Sequence, residues 1–238
     1  MKILITAGGT SEKIDQVRSI TNHSTGSLGK RIAEEMQAYG HEIYYVTTKV
    51  AAQPVGVKQI FYIESTKDLQ NILEKLLTTQ TFDAVIHAMA VSDFTPVAQY
   101  SKEKFQQTLA KGADIFAAKE NTETKISSNT DHLVLILEKT PKIIQKIKKW
   151  QPETLLVGFK LLVDVPKEEL LAVAKKSLVK NQADFVLAND LAEISGEQHH
   201  GYLLDKTGVV AQAWTKKEIA VIIETALKNF LKEKKEHK

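Results

Sequence analysis

Short runs of apolar, β-branched residues return along the chain, separated by stretches of helical periodicity. This alternation limits the available folds more than any other feature. Lys2–Thr6 (KILIT), Ile43–Thr47, Gln59–Ile63, Asp83–Ala88 (DAVIHA), His132–Glu138, Thr154–Phe159 (TLLVGF) and Asp184–Ala188 read as strands, the most apolar of them buried on both faces. Between them, Leu28, Ile32, Ala33 and Met36, then Leu69–Leu77, then Ile143, Ile144 and Ile147, then Leu171, Ala174 and Leu178 fall at helical spacing. Gly40 closes the first of these helices, and Thr140-Pro141 predicts an N-cap with proline at the first helical position. Beyond the last strand, Gly201–Ala213 reads as a hairpin turning at Asp205–Gly208, followed by a helix with Ile219, Ile222, Ile223, Ala226 and Phe230 on one face. The pattern predicts an α/β, doubly wound, mainly parallel sheet (Rossmann-like) with helices on both faces and a C-terminal β-hairpin plus helix. No repeat or linker interrupts it, so residues 1–238 read as a single domain.

Two stretches depart from the alternation. Ala7–Ser27 is a long connection between the first strand and its helix, and loops of that length inside a compact domain are usually functional. Its end, Thr21–Gly29, is polar and glycine-containing and enters a helix. A helix start presents unpaired N–H groups and partial positive charge, which suits a phosphate or carboxylate. From Thr95 to about Ser128 the pattern is lost, and residues 95–128 read as an irregular excursion or flap.

Charge and composition narrow the function. A net charge of +3 with Lys and Arg spread along the chain gives no case for nucleic acid as a partner. The absence of cysteine excludes disulfides, thiolate metal sites and cysteine nucleophiles. Met1-Lys2 runs straight into a strand, and no apolar run has the length of a membrane span. A cytoplasmic protein with no membrane partner is expected.

Several local motifs read two ways. Gly8-Gly9 is not GxGxxG, and Val46-Thr47-Thr48 places no acid at the end of the second strand, so the dinucleotide fingerprint is absent. Tyr100 and Lys104 match the Tyr-x-x-x-Lys of short-chain dehydrogenases, but sit in an aperiodic polar stretch. His199-His200 reads as a surface pair, because adjacent side chains diverge and no carboxylate is spaced to join them at a metal. Lys176 and Lys180 lie four apart on one helix face. They form either a solvated stripe or a clamp on polyphosphate delivered where a strand's carboxyl end meets its helix.

Taken in order, ITAGGTSEKID (Ile5–Asp15), VRSITNHSTGSLG (Val17–Gly29), AVSDF (Ala90–Phe94), KIS (Lys125–Ser127), KTPKII (Lys139–Ile144), VGF (Val157–Phe159) and ADFVLAND (Ala183–Asp190) resemble phosphopantothenate–cysteine ligase of coenzyme A synthesis. In many bacteria that ligase is fused behind a flavin-dependent decarboxylase, so this chain looks like a stand-alone form. The resemblance implies joining of 4′-phosphopantothenate to L-cysteine through an acyl-nucleotide. CTP would be the co-substrate, Mg²⁺ the cofactor, and CMP and pyrophosphate the products.

By motif position, the resemblance implies that Asn22 handles the acyl-nucleotide, with Arg18 a functional neighbour and Lys125 assisting activation. It implies a nucleotide site from Gly8, Gly9, Ser24, Gly26, Asp93, Lys125, Pro141, Lys142, Ile143, Ile144, Phe159, Lys176 and Lys180, with Met89 and Ala90 near the pantothenate. No metal-ligating side chain is assigned. Where many relatives carry Ala-Glu-Thr after Gly-Phe, this chain has Lys160-Leu161-Leu162-Val163; Met89 is bulky where the family is small. Relatives are dimers, so a homodimer is expected, with the hairpin Gly201–Gln212 as a pairing edge. The alternatives are a short-chain-dehydrogenase-like reductase using NAD(P)H and a non-catalytic nucleotide sensor.

Overall fold

The computed structural model describes residues 1–112, 115–116 and 131–236, with side chains through 233. Six strands run parallel: β1 (Lys2–Thr6), β4 (Glu42–Thr47), β5 (Gln59–Tyr62), β6 (Ala84–His87), β9 (Leu155–Leu162) and β10 (Phe185–Asp190). They lie side by side as β5-β4-β1-β6-β9-β10, the doubly wound order, with its switch point between β1 and β6. Next to β10 the sheet turns antiparallel through β12 (Gln198–Asp205) and β13 (Gly208–Thr215), and short β11 (Ile194–Ser195) pairs with the start of β12. The expected fold class is the observed one.

Because the central strands are covered on both sides, their side chains sort by parity into two cores. Leu4, Val85, Leu156 and Val186 face α2 (Thr66–Thr79), α4 (Ile144–Trp150) and α5 (Lys167–Asn181) through Leu69, Leu73, Ile147, Leu170 and Ala174. Ile3, Ile5, Ile86, Val157 and Leu187 face α1 (Ser27–Ala38) and α6 (Lys216–Glu236) through Ile32, Met36, Ile219 and Ile223. Each such side chain contributes about 1.5–3 kcal/mol on burial. His41 Nε2, 3.3 Å from Glu224, adds a polar tie between the residues following α1 and α6.

The connections hold four departures from the periodic reading. The long Ala7–Ser27 connection folds on itself as an antiparallel pair, β2 (Ser11–Lys13) with β3 (Ser19–Thr21). Within the stretch read as irregular, Phe94–Ser101 is a strand, β7, followed by α3 (Lys102–Ala110). Strand β7 pairs antiparallel with β8 (Leu133–Lys139) in a sheet of their own, so the strand expected at His132–Glu138 exists but does not join the main sheet. Thr140 is not the cap of α4, which begins only at Ile144; its hydroxyl donates to the Ser92 carbonyl instead.

Candidate active site

Beyond the last residue of β1, the chain stays hydrogen-bonded to the segment after β6. The Ala90 N–H donates to the Gly8 carbonyl at 2.9 Å, and the Thr10 N–H to the Ala90 carbonyl at 3.0 Å. Strands of a dinucleotide fold part at this switch point to admit the cofactor. Here a Gly9–Ala90 bridge holds the two segments together. The reductase alternative loses its second support as well, since the Tyr100 hydroxyl donates to the Ile115 carbonyl (3.1 Å) out on the β7–α3 arm.

Thr10 is the hub of the edge so formed. Fully buried, it accepts the Asn22 N–H on its carbonyl (3.2 Å), and its hydroxyl accepts the Ser92 N–H (2.8 Å) and lies 3.0 Å from the Ser92 hydroxyl. Glu12, also buried, accepts the N–H of Thr66 at the start of α2 (2.8 Å). The sequence names Asn22 but not the residues that hold it; a threonine after Gly-Gly carries no periodic signal of its burial. Asn22 itself is half-buried, and its side-chain amide has no partner among the described residues.

Helix α1 starts just beyond. Gly26, at φ 71°, precedes its first turn, and no side chain caps it. Gly8 and Gly26 are both buried against Ala51, so their role is close packing of three backbone segments, while Ser24 beside them is exposed.

Asp93 and Lys142, far apart in sequence, form an ion pair, with the Thr140 N–H bonded to the Asp93 carbonyl (3.0 Å). Pro141 is exposed with them. Ile143 is 2% exposed, and the half-buried Ile144 directs its Cδ1 toward Gly158. The Met89 side chain likewise belongs to the α2–α4–α5 core, and Ala90 presents backbone. Phe159 packs with the opposite core, facing α1 and α6, so it and Pro141–Lys142 can share a ligand only across the strand ends.

Other expected members lie elsewhere. Arg18 sits at the turn of the β2–β3 pair, where its Nε and Nη2 bond the Asp15 carboxylate at 3.0 and 2.7 Å. Helical spacing would have kept it near Asn22. The extended β3 carries it roughly 13 Å along the strand. Lys176 and Lys180 are exposed in the second half of α5, not where that helix meets the carboxyl end of β9. They lie toward the end at which Asn181 accepts a hydrogen bond from Gln145 of α4 (3.2 Å). Lys125 lies outside the described residues.

The histidine pair is not on the surface. His199, 5% exposed, has Nε2 3.0 Å from the Asn189 amide, and burial pushes its pKa down to about 4. His200 stacks on Trp214 with centroids 3.8 Å apart and has Nδ1 2.9 Å from Glu193. Asp190 accepts the N–H groups of Asp164, Val165 and Ala192, which hold its carboxyl below the usual range and brace the β9–α5 connection. Among the described residues no cluster of three or more His, Asp or Glu side chains is arranged to hold a metal. No described helix is long and apolar enough to cross a membrane.

Comparison with known proteins agrees with the motif order. The family model described as the DNA/pantothenate metabolism flavoprotein C-terminal domain matches residues 1–115 and 108–230. The crystal structure of the DNA/pantothenate metabolism flavoprotein from Streptococcus pneumoniae superposes with a TM-score of 0.88 at 44% identity, covering 97% of this chain and 99% of that one. The C-terminal domain of a coenzyme A biosynthesis bifunctional protein CoaBC follows with a TM-score of 0.72 at 26% identity, covering 98% and 96%. The bifunctional CoaBC of Thermococcus kodakarensis is 34% identical over 205 residues, 86% of this chain and 45% of its own length. This chain thus spans about half the length of the curated relatives it matches.

Proposed function

The chain belongs to the family of DNA/pantothenate metabolism flavoprotein C-terminal domains, and from that premise we propose that it is a phosphopantothenate–cysteine ligase of coenzyme A synthesis. One structural observation carries the reading furthest. Thr10 ties the loop bearing the free Asn22 amide to the segment bearing the Asp93–Lys142 pair, at the carboxyl edge of the sheet.

The chemistry explains why such a site is useful. A carboxylate cannot expel oxide, so the acid must first become a mixed anhydride. Its oxygen attacks the α-phosphorus of the nucleotide and pyrophosphate leaves; the cysteine amine then attacks the acyl carbon and the nucleoside monophosphate leaves. Charge accumulates on oxygen in both steps, and preorganised donors stabilise it. In this reading the Asn22 amide donates to the acyl oxygen, Lys142 and the start of α1 face phosphate, and Asp93 orients Lys142 and the nucleotide. By motif position Lys125 assists activation and Phe159 stands beside the base, whereas Lys176 and Lys180, matched by motif to the triphosphate, stand toward the far end of α5 from this edge. A magnesium ion keeps most of its waters and takes one or two carboxylates plus phosphates. Asp93 is an exposed carboxylate at this edge, and a magnesium ion arriving with the nucleotide would neutralise the nucleotide's charge.

CTP as the co-substrate, a cytoplasmic location and a homodimer complete the proposal. Supplying 4′-phosphopantothenate, L-cysteine, Mg²⁺ and either CTP or ATP, and measuring pyrophosphate, tests it. Release with CTP is expected; no release with either nucleotide refutes the ligase, and release with ATP alone refutes the nucleotide assignment.

A further inference from the structure

The sheet does part at its carboxyl edge, but one strand away from the switch point. Strand β9 pairs with β6 only as far as Gly158 beside His87. Beyond that level the two strands take different partners. The chain after β6 stays with the extension of β1, through the Ala90 N–H on the Gly8 carbonyl and the Gly9–Ala90 bridge. Strand β9 continues along β10, with Lys160 beside Ala188 and Leu162 beside Asp190. A cleft therefore opens between Ala88–Ala90 and Phe159–Leu162, and open α/β sheets take ligands where neighbouring strands diverge in this way.

Side chains on the β9 lip alternate. Phe159 turns to the face of α1 and α6, whereas Lys160 shares the opposite face with Gly158, where a β-carbon would meet Ile144 Cδ1 of α4 at 3.1 Å. On that face Thr140–Ile143 lead into α4, and the Thr140 N–H holds the Asp93 carbonyl. Lys160 is half-buried and has neither an ion pair nor a hydrogen bond among the described residues. The acids beside the cleft are occupied: Asp93 pairs with Lys142, and Asp190 accepts three backbone N–H groups. Asp164 lies past the end of the strand, in the turn into α5. The charge of Lys142 is thus balanced within the protein, and that of Lys160 is not. An ammonium partly withdrawn from water and left unpaired favours an anion beside it. Lys160 opens the run Lys160–Val163 that departs from the family pattern, so motif position assigns it no role.

We infer that Lys160 binds the phosphates of the nucleotide, reaching them from the β9 lip of the cleft, across from the Asp93–Lys142 pair. The identity of the anion as a nucleotide rests on the ligase reading. The position and the unbalanced charge of the lysine do not.

Calorimetric titration with cytidine, CTP, adenosine and ATP, each alone with Mg²⁺, tests the assignment without turnover. The wild-type protein is expected to bind a triphosphate more tightly than its nucleoside. Lys160→Met keeps an apolar stem and removes the charge. It should weaken the triphosphate about ten- to a hundredfold and leave the nucleoside unchanged, and Lys160→Arg should recover most of the loss. In steady-state assays Lys160→Met should raise the KM for the triphosphate more than it lowers kcat, as expected for a contact made before the chemical step. Unchanged melting temperatures would show that the variants are folded. Wild-type triphosphate affinity in Lys160→Met, an equal loss for the nucleoside, or no recovery with arginine would each overturn the assignment. Triphosphate binding that depends on Lys160 without any pyrophosphate release would sink the ligase reading and leave Lys160 standing. Pyrophosphate release that Lys160→Met does not slow at limiting triphosphate would do the reverse.

Discussion

A β-carbon on Gly9 would stand 2.1 Å from the Asn22 carbonyl oxygen, so only glycine lets the loop lie this close to the end of β1. Gly9→Ala must push the Asn22 backbone away, and overpacking of this kind costs about 1–3 kcal/mol. If Asn22 acts on the acyl group as proposed, displacing its amide by an ångström should also lower kcat by about a hundredfold; a steady-state assay beside a melting curve separates the two effects. Asn22→Asp keeps the shape but puts charge where a donor is needed. In single-turnover experiments it should still form the acyl-nucleotide yet use it about 10²–10³ times more slowly. Amide formation at the wild-type rate would remove Asn22 from the acyl step.

At the scale of elements, hydrophobic periodicity located the helices, while their caps were not reliably legible: Thr140 does not cap α4, and the cap of α2 was not read. Ser65 and Asp68 form a capping box on α2, each side chain accepting the other's backbone N–H. Ser65→Ala should cost about 1 kcal/mol, seen as a fall of about 2–4 °C in melting temperature for a chain this size. What the sequence concealed depended on distant partners. Phe94–Ser101 carries a proline, which argues against a strand, but the β7–β8 pair is only two strands wide and shifts register between Pro96 and Ala98 to accommodate it. His199 and His200 look like a polar surface pair until Asn189 and Trp214, neither of them a sequence neighbour, are folded against them. Among the site residues, motif order put Asp93 and Lys142 in one expected nucleotide site, and the fold brings the two together as an ion pair. Motif order could not indicate that Ile143 and Met89 spend their side chains on the core, because both read equally as contact or as packing.

Over the whole molecule, strand alternation was sufficient for the doubly wound class, since parallel neighbours need crossovers and crossovers need helices. The same burial on both faces that makes the parallel sheet possible also encloses His87, whose Nδ1 is 2.8 Å from the Thr6 hydroxyl and whose pKa burial lowers to about 4. His199 is lowered to about 4 as well, by burial and by Lys216. An unfolded histidine titrates near pH 6.5. Between about pH 6.5 and 4 the unfolded chain therefore binds protons that the folded chain refuses, and stability falls as the pH falls through that window. Asp190, held ionised by three backbone N–H groups, acts in the same direction further into acid. For His87 the loss on going from pH 7 to pH 5 is about 2 kcal/mol. Urea unfolding at the two pH values should show a drop at least that large, and His87→Asn should make the dependence shallower. Equal stability at pH 7 and pH 5 would mean that these histidines do not remain neutral inside the folded protein.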